Sequence, residues 1–324
     1  MSGLKLRLSR ILRMTPFLLL AWALPVRAAV ESASPAEAPA RDPITIELRA
    51  AESAIYPGQN LVLKLIFKND AEPPVTLDAA AFERETFQVL DEKGKPPKKV
   101  APGGKAAEAL RVDGYGTSER LIDLSAWYPS VAARKGVWKV SWSGGDRSAG
   151  PIKVAVTEPY DAAKDRIAVL ETEVGVMTWE LLPEHAPKHV KHFVDLVRQG
   201  FYDGLTFYRF VPGMELCGGD PKGDGTGGWR NLMMPEFSQN LVPVTGMVGA
   251  LRPDGKVSLS SDSIFFIALG SPEFMQGLQS FYARMTEGWD VVARIAARET
   301  TGETGLSNAN LLLRPVKIVR ARIK

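Results

Sequence analysis

Three histidines, His185, His189 and His192, stand at spacings of four and three residues. That spacing puts them on one face of a helix, where imidazoles can share a metal ion. Their setting argues for packing instead. His192 directly precedes Phe193, and Val190, Phe193, Val194 and Val197 recur at helical spacing, so this helix lies over a core. No metal or other cofactor is expected. The single cysteine, Cys217, has no partner for an intrachain disulfide. As a nucleophile it would need a positioned base; in an apolar strand it reads as a small buried thiol. Glycines at 223, 225, 227 and 228 have the density of a phosphate-cradling loop. Such a loop must run directly into a helix, and residues 229–235 carry no helical pattern, so these glycines read as a tight surface loop. Neither Gly-x-Ser-x-Gly nor His-Glu-x-x-His occurs, which leaves hydrolase chemistry without support.

The elements that must position these residues fall into two sets. The 324 residues are 45% hydrophobic and 24% charged, an ordinary globular composition long enough for about two domains. The first residues differ. Lys5, Arg7, Arg10 and Arg13 precede the apolar run from Phe17 to Leu24, and small residues follow to Ala28. A basic start, a short apolar core and a small-x-small end predict a secretory signal peptide over 1–28, cleaved near Ala28. A membrane span needs roughly 20 apolar residues, so stable insertion after cleavage is not expected. The formal charge of +3 belongs to that segment, since the remainder holds 35 basic and 37 acidic residues. No dense basic stretch remains, which argues against nucleic acid as a partner.

Residues 29–43, rich in Ala, Pro and Ser, read as a linker. Over 44–157 the apolar residues alternate: Ile44, Ile46 and Leu48; then Leu61, Leu63, Leu65 and Phe67; then a run with Val137, Val140 and the Trp138/Trp142 pair. Pro57-Gly58, Asn69-Asp70, Lys93-Gly94, Gly103-Gly104 and Gly144-Gly145 supply turns between the runs. Short alternating strands with frequent turns predict a β-sandwich of immunoglobulin-like size, closed by 152–156. Residues 158–165 read as a second linker. From 166 onward the expected strands pass through Val169, 177–181, 207–210, 263–268 and 316–323. A helix opens at Pro187 and stops at Gly200. A second is expected over 286–297, with Trp289, Val292 and Ile295 on its buried face.

The second set carries a resemblance. Residues 180–193 and the run Phe207-Tyr208-Arg209-Phe210-Val211-Pro212-Gly213 are similar to segments of cyclophilins. Cys217-Gly218-Gly219-Asp220-Pro221, Pro235-Glu236-Phe237, Thr245-Gly246-Met247, Ser263-Ile264-Phe265-Phe266-Ile267 and Glu287-Gly288-Trp289-Asp290 follow in the family's order. The resemblance covers nearly all of 166–324 and says nothing about 44–157. Over 166–324 it implies a cyclophilin-like antiparallel barrel capped by two helices, so with the sandwich read from alternation the whole chain is expected to be mainly β. It also implies a peptidyl-prolyl cis/trans isomerase acting on proline-containing unfolded or flexible polypeptides, which the predicted signal peptide would place in the periplasm or outside the cell.

The chemistry expected of such a protein is rotation about an X–Pro bond, whose barrier of about 20 kcal/mol comes from amide resonance. A catalyst must bind the twisted amide better than either planar form. By resemblance, Arg209 is the catalytic group, donating to the prolyl nitrogen as twisting frees its lone pair. Phe207, Met214 and Phe266 would line the proline pocket, Phe274 and Met275 its rim, with Cys217, Leu251, Arg252 and Gln279 in the same groove. Here Cys217 and Ile264 stand where the family usually has Gln, Arg252 where it has Asn, Phe274 where it often has Trp, and Gln279 where it has His. Losing two supporting amides predicts a less well oriented Arg209. The competing expectation is a degenerate peptide-binding or chaperone module with little turnover. In either case the sandwich is free to recruit a protein partner.

Overall fold

The computed structural model describes residues 42–52, 54–100, 107–228, 232–252, 258–302 and 309–324. The expected signal peptide and all but the last two residues of the first linker lie outside them.

The alternating first half forms strands β1 (Ile44–Ala50), β2 (Val62–Asn69), β3 (Val75–Leu77), β4 (Phe87–Asp91), β5 (Leu110–Val112) and β6 (Thr117–Asp123). A single helical turn, α1 (Pro129–Ala132), precedes β7 (Gly136–Gly144) and β8 (Arg147–Val156). Two antiparallel sheets result, ordered β1-β2-β6 and β4-β7-β8, with β3 and β5 paired separately. Period two sends Leu63, Leu65 and Phe67 of β2 inward, all fully buried, and the same core takes Val140 and Trp142 from β7. Phe67 meets Trp142 edge-on at 5.6 Å, so the two sheets share one apolar interior. The Trp142 indole N–H donates to the Ala81 carbonyl at 2.7 Å, which satisfies its one polar atom.

The second half continues with β9 (Ile167–Thr172), β10 (Gly175–Leu181), α2 (Pro187–Arg198), β11 (Thr206–Val211), β12 (Glu215–Gly218), β13 (Met247–Ala250), β14 (Phe265–Ala268), β15 (Phe281–Glu287), α3 (Trp289–Ala296) and β16 (Leu311–Ile323). Its eight strands close into an antiparallel barrel in the order β10-β15-β13-β14-β12-β11-β16-β9. Closure removes free edges and leaves an interior to be filled by side chains. Trp179, Phe207 and Phe265 fill it, with Phe265 edge-on to Trp179 at 5.0 Å and near-perpendicular to Phe207 at 5.6 Å. Helices α2 and α3 bury Val190, Phe193, Val194 and Val197, and Val291, Val292 and Ile295, in the same core.

Helix α2 starts at Pro187 and is followed by Gly200 at φ +66°, as its punctuation predicts. Helix α3 is shorter than expected. Residues 286 and 287 still pair in β15, and Gly288, at φ +108°, makes the turn into the helix. Trp289 is therefore the first helical residue and 44% exposed, not part of the buried face. The strand expected from 263 begins at Phe265. Among the described residues no helix is long and apolar enough to cross a membrane.

The expected linker at 158–165 is a change of sheet system, not a loose joint, and residues 43–324 form one compact unit. Arg198 of α2 donates to the buried Asp165 carboxylate at 2.7 Å and to the Glu158 carbonyl at 3.1 Å. Tyr56, at the turn before β2, donates its hydroxyl to Asp195 of α2 at 3.1 Å. Lys191 bonds both, reaching Asp195 at 2.7 Å and the Tyr56 oxygen at 2.8 Å. Asp195 is fully buried, so each hydrogen bond to its carboxylate replaces lost hydration. Tyr56→Phe is expected to lower the unfolding free energy of the full chain by roughly 1.5–3 kcal/mol, measured by urea denaturation.

Candidate active site

Arg209 lies on β11, and the turn that follows decides what it meets. Pro212, Gly213 and Met214 connect β11 to β12, with Val211 opposite Glu215 and Gly213 at φ +67°, a left-handed conformation that suits glycine. This register sets Arg209 opposite Cys217 and diagonal to Glu215. The guanidinium donates from Nη1 to the Glu215 carboxylate at 3.0 Å. The Arg209 side chain is one-third exposed, whereas Glu215 is almost enclosed. Burial pushes the Glu215 carboxyl up, opposed by Arg209 and by a hydrogen bond with the Cys217 thiol. Burial also holds the Cys217 thiol and the Tyr208 phenol well above their ordinary ranges, so both stay protonated.

The pairing register shifts between Phe207 and Arg209. Such an irregularity re-aims side chains along a strand. Phe207 fills the barrel interior, while Tyr208 joins a second apolar layer with Cys217, Met247, Ile264, Phe266, Ala268, Met275 and Phe281, flanked by Leu251. Neighbours on each strand divide between the two layers: Leu216 and Phe265 belong to the interior, Cys217 and Phe266 to the outer one. The structure thus brings Cys217, Phe266, Met275 and Leu251 together, with Arg209 beside Cys217. Phe207 does not belong to that set; it packs edge-on against Phe265 in the barrel interior. Met214 sits 45% exposed on the turn, and Phe274 is 66% exposed. Arg252 donates to the Leu278 carbonyl at 2.6 Å and lies over the Phe237 ring. Gln279 is half-buried, with no partner for its Oε1 among the described residues. Ile264 is buried, filling with hydrocarbon the place of a supporting amide. Residues 253–257 of the expected gate segment lie outside the described residues.

Arg209 has a charged partner that sequence reasoning missed, Glu215. The signal was its alternation with Cys217 across a short turn from Arg209. Glu236 was missed as well. Its carboxylate accepts the backbone N–H groups of Lys188 and His189 at the start of α2, capping a helix whose own N-cap residue, Ala186, has no side-chain acceptor. It also accepts from His189 Nδ1 at 2.6 Å. Burial lowers the His189 pKa; the neutral ring then accepts at Nε2 from the fully buried Ser260 hydroxyl. His185 bonds Ser238, so the histidines have separate surroundings. The glycine-rich loop wraps a carboxylate of its own: Asp220, 1% exposed, accepts the N–H groups of Lys222, Asp224 and Gly225.

Residues 167–323 match the family profile described as cyclophilin type peptidyl-prolyl cis-trans isomerase/CLD. Peptidyl-prolyl cis-trans isomerase-like 1 of Bos taurus is 31% identical over 147 residues, which are 45% of this chain and 88% of that protein. The chain belongs to the cyclophilin family. Peptidyl-prolyl cis-trans isomerase cypE of Dictyostelium discoideum is 29% identical over 46% of this chain and 96% of its own length. A Cryptosporidium parvum cyclophilin crystallised in the presence of the dipeptide Ala-Pro is 22% identical, covering 49% of this chain and 98% of its own, with a TM-score of 0.43. Residues 167–323 are thus the cyclophilin-type isomerase domain, and the β1–β8 region stands outside the profile.

Within the cyclophilin domain His192 carries a testable charge effect. Burial lowers its pKa from 6.5 to about 4. A histidine held neutral in the fold contributes fully above its unfolded value and costs stability as pH falls from 6.5 toward 4. That window is worth roughly 3 kcal/mol. Urea denaturation at pH 7 and pH 4.5 is expected to show the loss, and His192→Gln is expected to reduce it.

Proposed function

We propose that this cyclophilin is an exported peptidyl-prolyl cis/trans isomerase that acts on X–Pro bonds of unfolded or flexible exported polypeptides. The observation that carries the reading is Arg209, a charged donor held at the edge of an outer apolar layer that contains Phe266 and Met275. The proline ring packs against that layer, with Met214 and Phe274 at its rim and Leu251, Arg252 and Gln279 along the peptide. Arg209 donates to the prolyl nitrogen as the amide twists. It transfers no proton, because a guanidinium stays charged. Apolar walls keep water from competing for that donor, so the bond is worth more in the twisted state. No cofactor enters the reaction.

Export rests on the basic start and short apolar core of residues 1–28, with the mature chain working in the periplasm or outside the cell. The β1–β8 region, read as a sandwich of immunoglobulin-like size, would recruit a protein partner. Protein recovered from its producing cell is expected to begin at Ala29 or Val30 by mass spectrometry; an intact Met1 segment overturns cleavage. A peptide-binding module with little turnover is favoured by one observation, the buried Cys217 and Ile264 where family members present amides.

Magnetisation-exchange NMR on a capped Ala-Pro peptide separates the two readings. Arg209→Ala is expected to lower kcat/KM at least about tenfold, the worth of one charge-assisted hydrogen bond. Arg209→Lys is expected to be nearly as harmful, because an ammonium lacks the planar fork. Full activity in a folded Arg209→Ala protein removes Arg209 from the chemistry. Peptide binding without turnover in the parent gives the result to the binding module.

A further inference from the structure

Arg209 is a long side chain on a strand edge, and a donor serves rotation only if it points at one place. The residue opposite it, Cys217, carries no amide and is fully buried as a thiol, and the nearby apolar layer holds Ile264, 1% exposed. The direct charged contact is Glu215. Its backbone is fixed on both sides, paired to Val211 of β11 and to Ala268 of β14. The turn before it is tied down as well, since the Leu269 N–H donates to the Met214 carbonyl at 2.9 Å. The carboxylate therefore projects from a braced hairpin, and one of its oxygens lies 3.0 Å from Arg209 Nη1. A guanidinium has five N–H donors, so this bond anchors one end of it and leaves others for a substrate. The Cys217 thiol, two residues along the same strand, hydrogen-bonds the same carboxylate.

We infer that Glu215 is the positioning residue for Arg209, holding the guanidinium in the orientation that an amide supplies in related proteins. The inference rests on the isomerase reading above and adds a distinct property to it. An amide keeps its hydrogen bonds at any pH, whereas a carboxylate loses its charge on protonation. The groups facing Glu215 are Arg209 and Tyr208 from β11 and Cys217 from β12; β14, across Ala268, presents no ionisable side chain. Arg209 stays charged throughout. The phenol and thiol are pushed upward by burial and are neutral in acid. Among the described residues facing Arg209, Glu215 alone changes charge there. Burial raises its pKa, so turnover should begin to fall at a pH above the ordinary carboxylate range as acid removes the charged acceptor.

The test is kcat and KM for a capped Ala-Pro peptide by magnetisation-exchange NMR between pH 4.5 and 8. Parent, Glu215→Gln and Glu215→Ala are compared, using only pH values where circular dichroism shows each folded. Glu215→Ala is expected to lose about tenfold in kcat at pH 7.5 with KM changed less than twofold. Glu215→Gln keeps an acceptor oxygen and is expected to lie between parent and Glu215→Ala, with the acid fall of the parent abolished. Should Glu215→Ala fail to fold, the pH profile of Glu215→Gln decides alone. Parent-like kcat in Glu215→Ala, or an unchanged acid fall in Glu215→Gln, overturns the role of Glu215 and leaves the isomerase reading intact. Absence of turnover in the parent overturns the isomerase reading and this inference with it.

Discussion

A closed barrel leaves its strands no freedom about which side chains go inward. Trp179, Phe207 and Phe265 must fill the space that eight strands enclose, and once they do, their neighbours belong to the other face. The outer layer of Tyr208, Cys217 and Phe266 is a consequence of that filling. The register shift before Arg209 lets the strand serve both layers, with Phe207 in one and Tyr208 in the other, and Arg209 keeps one-third of its side chain exposed.

Enclosed carboxylates do the remaining polar work, two of them over long sequence distances and two within their own hairpin or loop. Glu236 caps a helix that begins 49 residues earlier in the chain, at Pro187. Asp195 receives a tyrosine hydroxyl from the first sheet system. Asp220 gathers the amides of its own loop, and Glu215 gathers a guanidinium. Each satisfies donors that would otherwise be stranded away from water, where an unmade hydrogen bond costs more than a made one contributes.

These distances explain what the sequence disclosed. Period two in Leu63, Leu65 and Phe67, and the Pro187-to-Gly200 helix with its buried valines, are local patterns and were legible. The barrel was legible through the order of the family's segments. Phe207 enters the expected pocket only through the resemblance, and the register shift between it and Arg209 is invisible in a residue string. Trp289 was assigned to a buried face because helical spacing says nothing about where the first turn begins. Glu236 could not have been found by spacing, since its partners are set by tertiary approach. Glu215 could have been, because a five-residue turn fixes its neighbour across the hairpin.

Helix α2 joins two parts of the molecule that share no strand. Near its middle, Asp195 and Lys191 grip Tyr56 of the first sheet system; at its first turn, Glu236 ties it to the segment carrying Phe237, whose ring lies under Arg252. Twelve residues of α-helix measure about 18 Å and bend little. The helix thus ties Tyr56 of the first sheet system and the segment carrying Glu236 and Phe237 to one stiff element, so neither can shift without straining the same backbone.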